Sequence, residues 1–305
     1  MNLILPDFSK AKKKYLSFLK SQEIPGHTFK DKLKQFNNFY IPICKRIYKI
    51  YNKNKKTIII GLAGGQGIGK STISNILKII LKENFDLTTV TFSIDDFYKT
   101  SYQRKKMSEK VCNLFLTRGV PGTHDDRMLF SCLNGLKKKR FKKILIPKFD
   151  KSTDNRLKKN KWIKILKKPD IVIFEGWCVG AKAQKKSSLI KPINLLEREE
   201  DKDMKWRIKV NQHLEKNYKR IFNLIDLLIF LKIPSFNYVY KWRYLQEKKL
   251  KKNSNGSKVM NSKQIKRFIM FYERITKQML KITEPKSKIQ INVGSNHSLR
   301  SIKFN

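Results

Sequence analysis

A glycine-rich stretch in the first quarter of the chain carries the residue types that bind the phosphates of a nucleotide. Residues 64–71 have the sequence GGQGIGKS, which fits the pattern GxxxxGK[ST] between a predicted strand and a predicted helix. Backbone N–H groups of such a loop converge on phosphate oxygens, and the helix N-terminus adds partial positive charge. Lys70 would neutralise the β- and γ-phosphates, and the Ser71 hydroxyl would ligate Mg²⁺. The predicted nucleotide-binding residues are Gly64, Gly65, Gln66, Gly67, Ile68, Gly69, Lys70, Ser71 and Thr72.

Acidic residues follow two other predicted strands. Asp95 and Asp96 come after the apolar run at 88–94, and Glu175 follows the run at 170–174. The carboxyl ends of parallel strands form the crevice where such sheets bind ligands. Asp95 is therefore a candidate proton acceptor and metal-organising group, and Glu175 a candidate metal or water ligand together with Ser71. The alternative, stronger for Asp96 than for Asp95, is that the carboxylate caps the next helix.

Two further loops hold charged and hydroxyl side chains. Residues 117–126 (TRGVPGTHDD) contain a Pro-Gly turn, and residues 147–152 (PKFDKS) follow another predicted strand. Groups of this kind on strand-end loops hold small polar ligands, and the Arg, His and Lys side chains would supply cations for an anionic one. The candidate substrate-binding residues are Asp96, Tyr98, Arg118, His124, Lys148, Asp150 and Lys151.

Apolar runs of strand length alternate with helix-period stretches from residue 57 onward. This alternation predicts an α/β fold, a mostly parallel sheet with helices on both faces. The predicted strands are 57–62, 88–94, 143–147, 170–174, 226–231 and 288–293. A last long helix should begin at Asn261 with a capping box to Gln264, and its apolar stripe through Tyr272 is expected to be core and not part of a site.

Residues 1–56 are predicted to form an N-terminal helical extension, kinked or split at Pro42, and residues 57–305 a phosphate-loop domain. No apolar run reaches the eighteen or more residues of a membrane span, and we find no secretory signal pattern. The four cysteines are scattered without a CxxC pair, which is typical of reduced thiols in a cytosolic protein. We therefore expect a cytoplasmic protein without a membrane partner.

The chain has a formal net charge of +45, so we asked whether it has a surface that binds nucleic acid. The basic runs at 137–140, 158–161 and 248–252 are spread along the chain and are not interleaved with aromatic residues. Lysine also greatly outnumbers arginine, as in proteins from AT-rich genomes. Compositional drift therefore explains the charge better than a nucleic-acid surface does.

This interpretation predicts weak, non-specific binding to duplex DNA. Because only phosphates would be contacted, binding should collapse between low and physiological salt, since each contact releases counterions. Titrating random-sequence duplex DNA at two salt concentrations tests this prediction. A salt-resistant or sequence-selective complex would contradict it.

Several motifs together resemble the D-glycerate 3-kinase family of plants, cyanobacteria and fungi, which is related to uridine kinase and phosphoribulokinase. In chain order they are GGQGIGKST, SIDDFYKT, RGVPGTHD, PKFDKS, FEGWCVG, VYKWRYLQE and the helix start MNSKQ. The resemblance covers residues 59–272 and implies phosphorylation of D-glycerate at its 3-hydroxyl by MgATP, giving 3-phosphoglycerate in photorespiratory salvage. One departure is Val120, where the family is expected to have a polar residue.

The resemblance also implies roles for individual residues. The first acid of the matching D-x-F-Y segment is the catalytic base of uridine kinases, and here it is Asp95. The family's WR-x-x-QE helix matches residues 242–247, so Arg243 would be a lid arginine that clamps the transferring phosphate. With Asp95 and Lys70 it completes the predicted catalytic set.

Other functions remain open at the level of sequence. The same chemistry could act on a nucleoside, pantothenate or a sugar phosphate, and a basic nucleic-acid-binding P-loop ATPase is a rival from a different class. Neither an NKxD guanine motif nor an LSGGQ signature is present. A degenerate regulator without activity is disfavoured because every residue that the chemistry needs is there. Oligomeric state is not predicted.

Overall fold

The structure is a computed structural model that describes residues 7–23, 28–253, 260–283 and 287–305, without the side chains of 246–253. Its strands are β1 Ile58–Gly64, β2 Thr89–Ser93, β3 Ile144–Ile146, β4 Phe149–Asp150, β5 Asn155–Arg156, β6 Ile163–Ile165, β7 Ile171–Gly176, β8 Leu227–Lys232, β9 Ile289–Val293 and β10 Leu299–Phe304. Six of them form the central sheet in the order β10-β9-β8-β1-β7-β2. All neighbours pair in parallel except β9 and β10. The predicted α/β fold with a mostly parallel sheet is thereby confirmed.

Twelve α-helices surround the sheet in the described part of the chain. They are α1 Ser9–Gln22, α2 Lys32–Gln35, α3 Ile41–Asn54, α4 Lys70–Phe85, α5 Ser101–Lys110, α6 Asp126–Lys137, α7 Ser187–Ile190, α8 Leu195–Glu199, α9 Lys205–His213, α10 Lys219–Phe222, α11 Asn237–Asn253 and α12 Ser262–Ile282. Wider π-helical turns at Phe36–Tyr40 and Leu214–Tyr218 connect α2 to α3 and α9 to α10. The first turn ends two residues before Pro42, so the predicted interruption there has the form of a π turn.

The sheet divides the hydrophobic core into two layers because successive side chains of a strand point to opposite faces. In β1, Ile58, Ile60 and Leu62 belong to the layer that also contains α1, α3 and α4. Ile59 and Ala63 face the other layer, which contains α6, α9 and most of α12. Each buried Ile or Leu contributes about 1.5–3 kcal/mol relative to an exposed position. The N-terminal helices share one of these layers with the sheet, and the domain boundary near residue 56 stays a prediction.

All six predicted strands are present near their predicted positions, but one of them does not belong to the central parallel sheet. The run at 143–147 forms β3, which pairs antiparallel with β6 outside the central sheet. It is only three residues long and partly exposed, so it does not need the two covering layers of a parallel strand. The edge strand β10 was missed because only its first residue is buried and its charged residues hide the alternation.

The carboxyl ends of β1, β2, β7 and β8 meet at one edge of the sheet, since these strands are parallel. Leu62 of β1 lies opposite Glu175 of β7, and Ser93 of β2 lies opposite the same residue. The phosphate loop and the strand-end acids are thereby brought together. None of the helices in the described ranges is both long and apolar enough to span a membrane.

Candidate active site

The phosphate loop connects β1 to α4 in the predicted context. Gly67 has φ +75°, and a Cβ atom there would lie 2.7 Å from Cβ of Trp242 on α11, so only glycine fits beneath this helix. Gly69, at φ +95°, precedes the first turn of α4. Lys70 Nζ donates hydrogen bonds to the carbonyl oxygens of Gly64 at 2.9 Å and Gly65 at 3.0 Å. Its ammonium is therefore held over the mouth of the loop.

Ser71 and Glu175 form a pair directly behind the loop. The Ser71 hydroxyl donates to Glu175 Oε1 at 2.8 Å. Burial raises the pKa of Glu175, opposed by the charge of Lys70, and burial lowers the pKa of Lys70. The positive charge of Lys70 and the negative charge of Glu175 stabilise each other at the end of β7.

This pair suits Mg²⁺, which prefers hard oxygen ligands and is commonly bound by one or two protein groups together with substrate phosphates and water. In the described ranges, no group of three or more His, Cys, Asp or Glu side chains could hold a metal ion by itself. Ser71 and Glu175 would hold the ion jointly with phosphate oxygens, and the ion would neutralise charge on the transferring group. The predicted participation of Asp95 as a ligand stays a prediction.

Asp95 and Asp96 have different surroundings although they are adjacent. Asp95 Oδ1 accepts a hydrogen bond from the Tyr98 hydroxyl at 2.9 Å, and its Oδ2 accepts one from Lys151 Nζ at 2.8 Å. Burial alone would raise the pKa of Asp95, but the Lys151 ammonium lowers it below the usual range. Asp95 is therefore ionised at neutral pH, at the end of β2.

Asp96 closes a cap. Its Oδ2 accepts from the backbone N–H of Ser93 at 3.2 Å, while the Ser93 hydroxyl accepts from the N–H of Asp95. Asp96 therefore caps the 3-10 turn Ile94–Phe97, in which it lies, and not the next helix α5, whose N-cap is Thr100. Lys148 Nζ also donates to this carboxylate at 3.0 Å, and burial, the largest influence, raises the pKa of Asp96.

A hairpin formed by β4 and β5 covers this edge of the sheet and carries the predicted residues Lys148, Asp150 and Lys151. The two lysines pair with Asp96 and Asp95, as described above. Asp150 instead accepts hydrogen bonds from the Ser152 N–H, the Ser152 hydroxyl and the Thr153 hydroxyl. Its carboxylate organises the turn of the hairpin, and a direct substrate role for it stays a prediction.

Arg118 lies in the loop before α6, beside this hairpin. Its guanidinium is ion-paired with Asp154 and lies 5.7 Å from the centroid of the Phe149 ring. Arg104 of α5 pairs with the same carboxylate. Neither Arg104 nor Asp154 was singled out from the sequence, because both occur in stretches rich in charged residues. Val120, the departure from the family pattern, is fully buried in the core, where an apolar side chain fits.

The prediction that His124 adds positive charge is wrong. Its ring is fully buried, stacks on Tyr98 with centroids 4.5 Å apart, and has Nδ1 2.5 Å from the Tyr218 hydroxyl. Burial lowers the pKa of His124 to about 3, so the imidazole is neutral. The His124 ring supports the Tyr98 ring, whose hydroxyl in turn contacts Asp95.

Helix α11 lies over the phosphate loop and brings Arg243 towards α12. The Arg243 guanidinium lies 5.4 Å from the centroid of the Phe268 ring. The Gln246 and Glu247 side chains of the same motif lie outside the described residues. The predicted role of Arg243 as a lid arginine stays a prediction, and its place on a helix that contacts the phosphate loop is compatible with it.

The α12 stripe forms core as predicted, with one correction. The Tyr272 hydroxyl donates to the carbonyl oxygen of Arg118 at 3.3 Å, and burial raises the pKa of this phenol while Asp95, Gln66 and Arg118 also act on it. Tyr272 therefore lies at the centre of the site, between the phosphate loop and the 117–126 loop. Helical periodicity alone cannot distinguish such a residue from an interior one.

A cavity of about 410 Å³ opens beside the phosphate loop at the ends of β8 and β9. One of its walls is Ile233, which also packs so closely on Gly65 that a Cβ atom there would lie 2.9 Å from it. Other lining residues are Lys232, Tyr238, Gly294, Ser295 and Arg300. The sequence showed no signal for this cavity because its residues come from two distant segments.

A phosphate loop on this sheet, with a Ser–Glu pair behind it and an ionised aspartate at the neighbouring strand end, defines a P-loop kinase. The sequence model described as phosphoribulokinase / uridine kinase family matches residues 59–209. An uncharacterized kinase of Schizosaccharomyces pombe, mug58, is 33% identical over 242 residues, which are 75% of this chain and 85% of that protein. The chain belongs to the phosphoribulokinase/uridine kinase family and is a nucleotide-binding phosphotransferase.

Two further relatives carry a more specific name. The chloroplastic D-glycerate 3-kinase of Arabidopsis thaliana is 26% identical over 252 residues, covering 77% of this chain and 52% of that protein. The structure of D-glycerate 3-kinase from Cryptococcus neoformans var. grubii matches with a TM-score of 0.73 at 21% identity, covering 88% of this chain and all of that one. The second match establishes a shared fold.

Proposed function

We propose that this chain transfers the γ-phosphoryl group of MgATP to the 3-hydroxyl of D-glycerate, giving 3-phosphoglycerate and ADP. The observation that carries the proposal is the ionised Asp95 carboxylate at the end of β2, whose hydrogen-bond partner Tyr98 packs on the same Phe149 ring as the Arg118 guanidinium. Tyr98 and Phe149 thus link a proton acceptor for a hydroxyl to a cation for a carboxylate. The two D-glycerate 3-kinases among its relatives support the same acceptor.

The nucleotide would lie with its phosphates in the loop and its base in the adjoining cavity. Backbone N–H groups of residues 65–70 and the Lys70 ammonium would hold the β- and γ-phosphates. The cavity beside Ile233 and Tyr238 has the volume typical of small-molecule sites, and its wall residue Ile233 packs directly on Gly65 of the loop. Mg²⁺ would be held by Ser71 and Glu175 and would supply charge neutralisation.

Asp95 would accept the proton of the 3-hydroxyl while the oxygen of that hydroxyl attacks the γ-phosphorus. The bond between the γ-phosphorus and the ADP oxygen breaks in the same step. A carboxylate with a lowered pKa is a weak base, but it is ionised throughout the neutral range. In phosphoryl transfer the transition state is loose, so positioning of the hydroxyl and neutralisation of charge contribute more than base strength. Lys151, which contacts Asp95, keeps this carboxylate charged.

A nucleoside acceptor is less well matched by the same surroundings. A nucleoside needs an aromatic wall for its base, and Phe149 is the aromatic side chain that the two substrate loops offer. Its ring already has the guanidinium carbons of Arg104 and Arg118 within 5.9 and 5.7 Å of its centroid. The cations around it favour an acceptor that carries negative charge.

The proposal predicts strong discrimination by the acceptor carboxylate. D-glycerate should be phosphorylated with kcat/KM at least about 100-fold above glycerol and uridine, a gap of roughly 2.7 kcal/mol. An assay that couples ADP formation to NADH oxidation measures all three acceptors. Arg118→Gln should narrow this difference in kcat/KM mainly by lowering the value for D-glycerate, because the carboxylate of D-glycerate loses a charge-assisted hydrogen bond. Efficient turnover of uridine or pantothenate with none of glycerate would overturn the acceptor while leaving the kinase class intact.

A further inference from the structure

A three-residue charged cluster stands behind the proposed acceptor site. The carboxylate of Asp154 bridges two guanidinium groups, with Oδ2 on Arg104 and Oδ1 on Arg118. The cluster joins three separate segments, namely α5, the 117–126 loop and the β4–β5 hairpin. Neither Arg104 nor Asp154 takes part in binding phosphate, metal or the hydroxyl proton.

Arg104 is the fixed end of this cluster. Its side chain is 1% exposed, and it donates to the carbonyl oxygens of Leu116 at 3.1 Å, Lys99 at 2.7 Å and Asp154 at 3.3 Å, in addition to the Asp154 carboxylate. A planar guanidinium with four acceptors around it has little freedom to move. Asp154 is therefore held at both its backbone and its side chain.

Arg118 is the open end of the same cluster. Its side chain remains 22% exposed, and its guanidinium is fixed on one side by Asp154 and lies against the Phe149 ring. The same Phe149 ring packs on Tyr98 with centroids 5.2 Å apart, and Tyr98 contacts Asp95 directly. The exposed part of Arg118 is therefore linked to the proposed acceptor site through Phe149 and Tyr98.

The charges of the cluster do not cancel. Two guanidinium groups share one carboxylate, so the cluster retains one positive charge, whereas the charge of Asp95 is paired with Lys151. A retained positive charge on a guanidinium that Asp154 holds on one side fits a planar carboxylate, which Arg binds through two parallel N–H donors.

We propose that Asp154, anchored by Arg104, is a positioning residue that orients Arg118 to bind the carboxylate of the phosphoryl acceptor and thereby sets the preference for an acidic substrate. This proposal rests on the proposed function, since it assigns residues to the recognition of the same acceptor. Outer partners that orient metal-binding side chains change affinity by about 10–100-fold when they are removed, and we expect the same scale for a partner that orients Arg118.

Asp154→Asn tests the proposal with little disturbance of the backbone. Asp154 has φ +55°, a left-handed conformation that Asn adopts as readily as Asp, so the substitution removes charge and keeps shape. We expect KM for D-glycerate to rise about 10-fold or more while kcat and KM for ATP change less than about twofold. Glycerol, which has no carboxylate, should be affected by less than about twofold, so the discrimination between the two acceptors shrinks.

Asp86→Asn is the matched control. Asp86 is also left-handed, at φ +48°, and is also ion-paired, to Lys82 at 2.6 Å, but its side chain is 89% exposed at the C-terminal end of α4, away from the phosphate loop. This variant should have wild-type kinetics with both acceptors.

Arg118→Lys provides a second test that leaves the buried Arg104–Asp154 pair in place. It keeps the charge but loses the planar fork, and it should raise KM for D-glycerate without changing glycerol turnover.

The outcomes separate this proposal from the proposed function. If the wild-type protein shows no preference for D-glycerate over glycerol, both proposals are overturned. If the wild type prefers D-glycerate but Asp154→Asn and Arg118→Lys lower the turnover of both acceptors equally, or change neither, the acceptor assignment stands and the positioning role is overturned. If Arg118→Lys raises KM for D-glycerate but Asp154→Asn changes neither acceptor, Arg118 binds the carboxylate without Asp154 and the positioning role is overturned as well. Should Asp154→Asn fail to fold, Asp154→Gly, which also adopts φ +55°, is measured in its place against the same outcomes.

Discussion

Lys70→Ala is expected to reduce kcat by about 100-fold or more, a loss of roughly 2.7 kcal/mol or more of transition-state stabilisation. The ammonium is the charge that follows the γ-phosphate during transfer, and it already lies over the loop through its bonds to Gly64 and Gly65. Steady-state kinetics at saturating ATP and D-glycerate measure the effect.

Lys78→Ala is the control for this substitution. Lys78 lies on the same helix, α4, but is exposed to solvent. Losing it removes the same charge and the same methylene groups without touching the phosphate loop, so turnover should stay within about twofold of wild type. Retention of more than a tenth of wild-type kcat by Lys70→Ala would contradict the assignment of the loop.

Asp95→Asn should lower kcat by about 100-fold or more, because it keeps the shape of the side chain and removes the proton acceptor. ATP affinity should change little, since Asp95 contacts Tyr98 and Lys151 and not the phosphate loop. Rapid-mix measurements of the phosphoryl transfer step, together with nucleotide binding by fluorescence, separate the two effects.

Asp96→Asn gives the internal comparison. Asp96 closes the cap at Ser93, so its substitution should lower the free energy of unfolding by about 1 kcal/mol and leave much of the turnover intact. If Asp96→Asn lowers kcat strongly and Asp95→Asn lowers it only mildly, Asp96 is the proton acceptor and the roles assigned to the two residues must be exchanged.

Local sequence patterns predicted the parts of this molecule that depend on local chemistry. The phosphate loop, the parallel strands and the capping box at Asn261 are all specified by residues within a few positions of one another. That Glu175 lies near the phosphate loop followed from the rule that the ends of parallel strands meet at one edge, whereas its hydrogen bond with Ser71 was visible only in the structure.

Features that depend on contacts between distant segments were not predictable. His124 was taken for a cation because its loop is polar, but tertiary burial makes it neutral. Tyr272 has the spacing of a core residue, and only the position of the 117–126 loop shows that its hydroxyl reaches the site. The Arg104–Asp154–Arg118 cluster joins residues 14 to 50 positions apart, so no motif contains it.

The most direct test of the central claim is to incubate the purified protein with Mg²⁺, γ-labelled ATP and D-glycerate, and to identify the labelled product. The proposed reaction gives label in 3-phosphoglycerate, formed one-to-one with ADP and absent with the Lys70→Ala protein. Label that appears only in inorganic phosphate, or in a phosphorylated nucleoside or pantothenate but not in a phosphoglycerate, would contradict it.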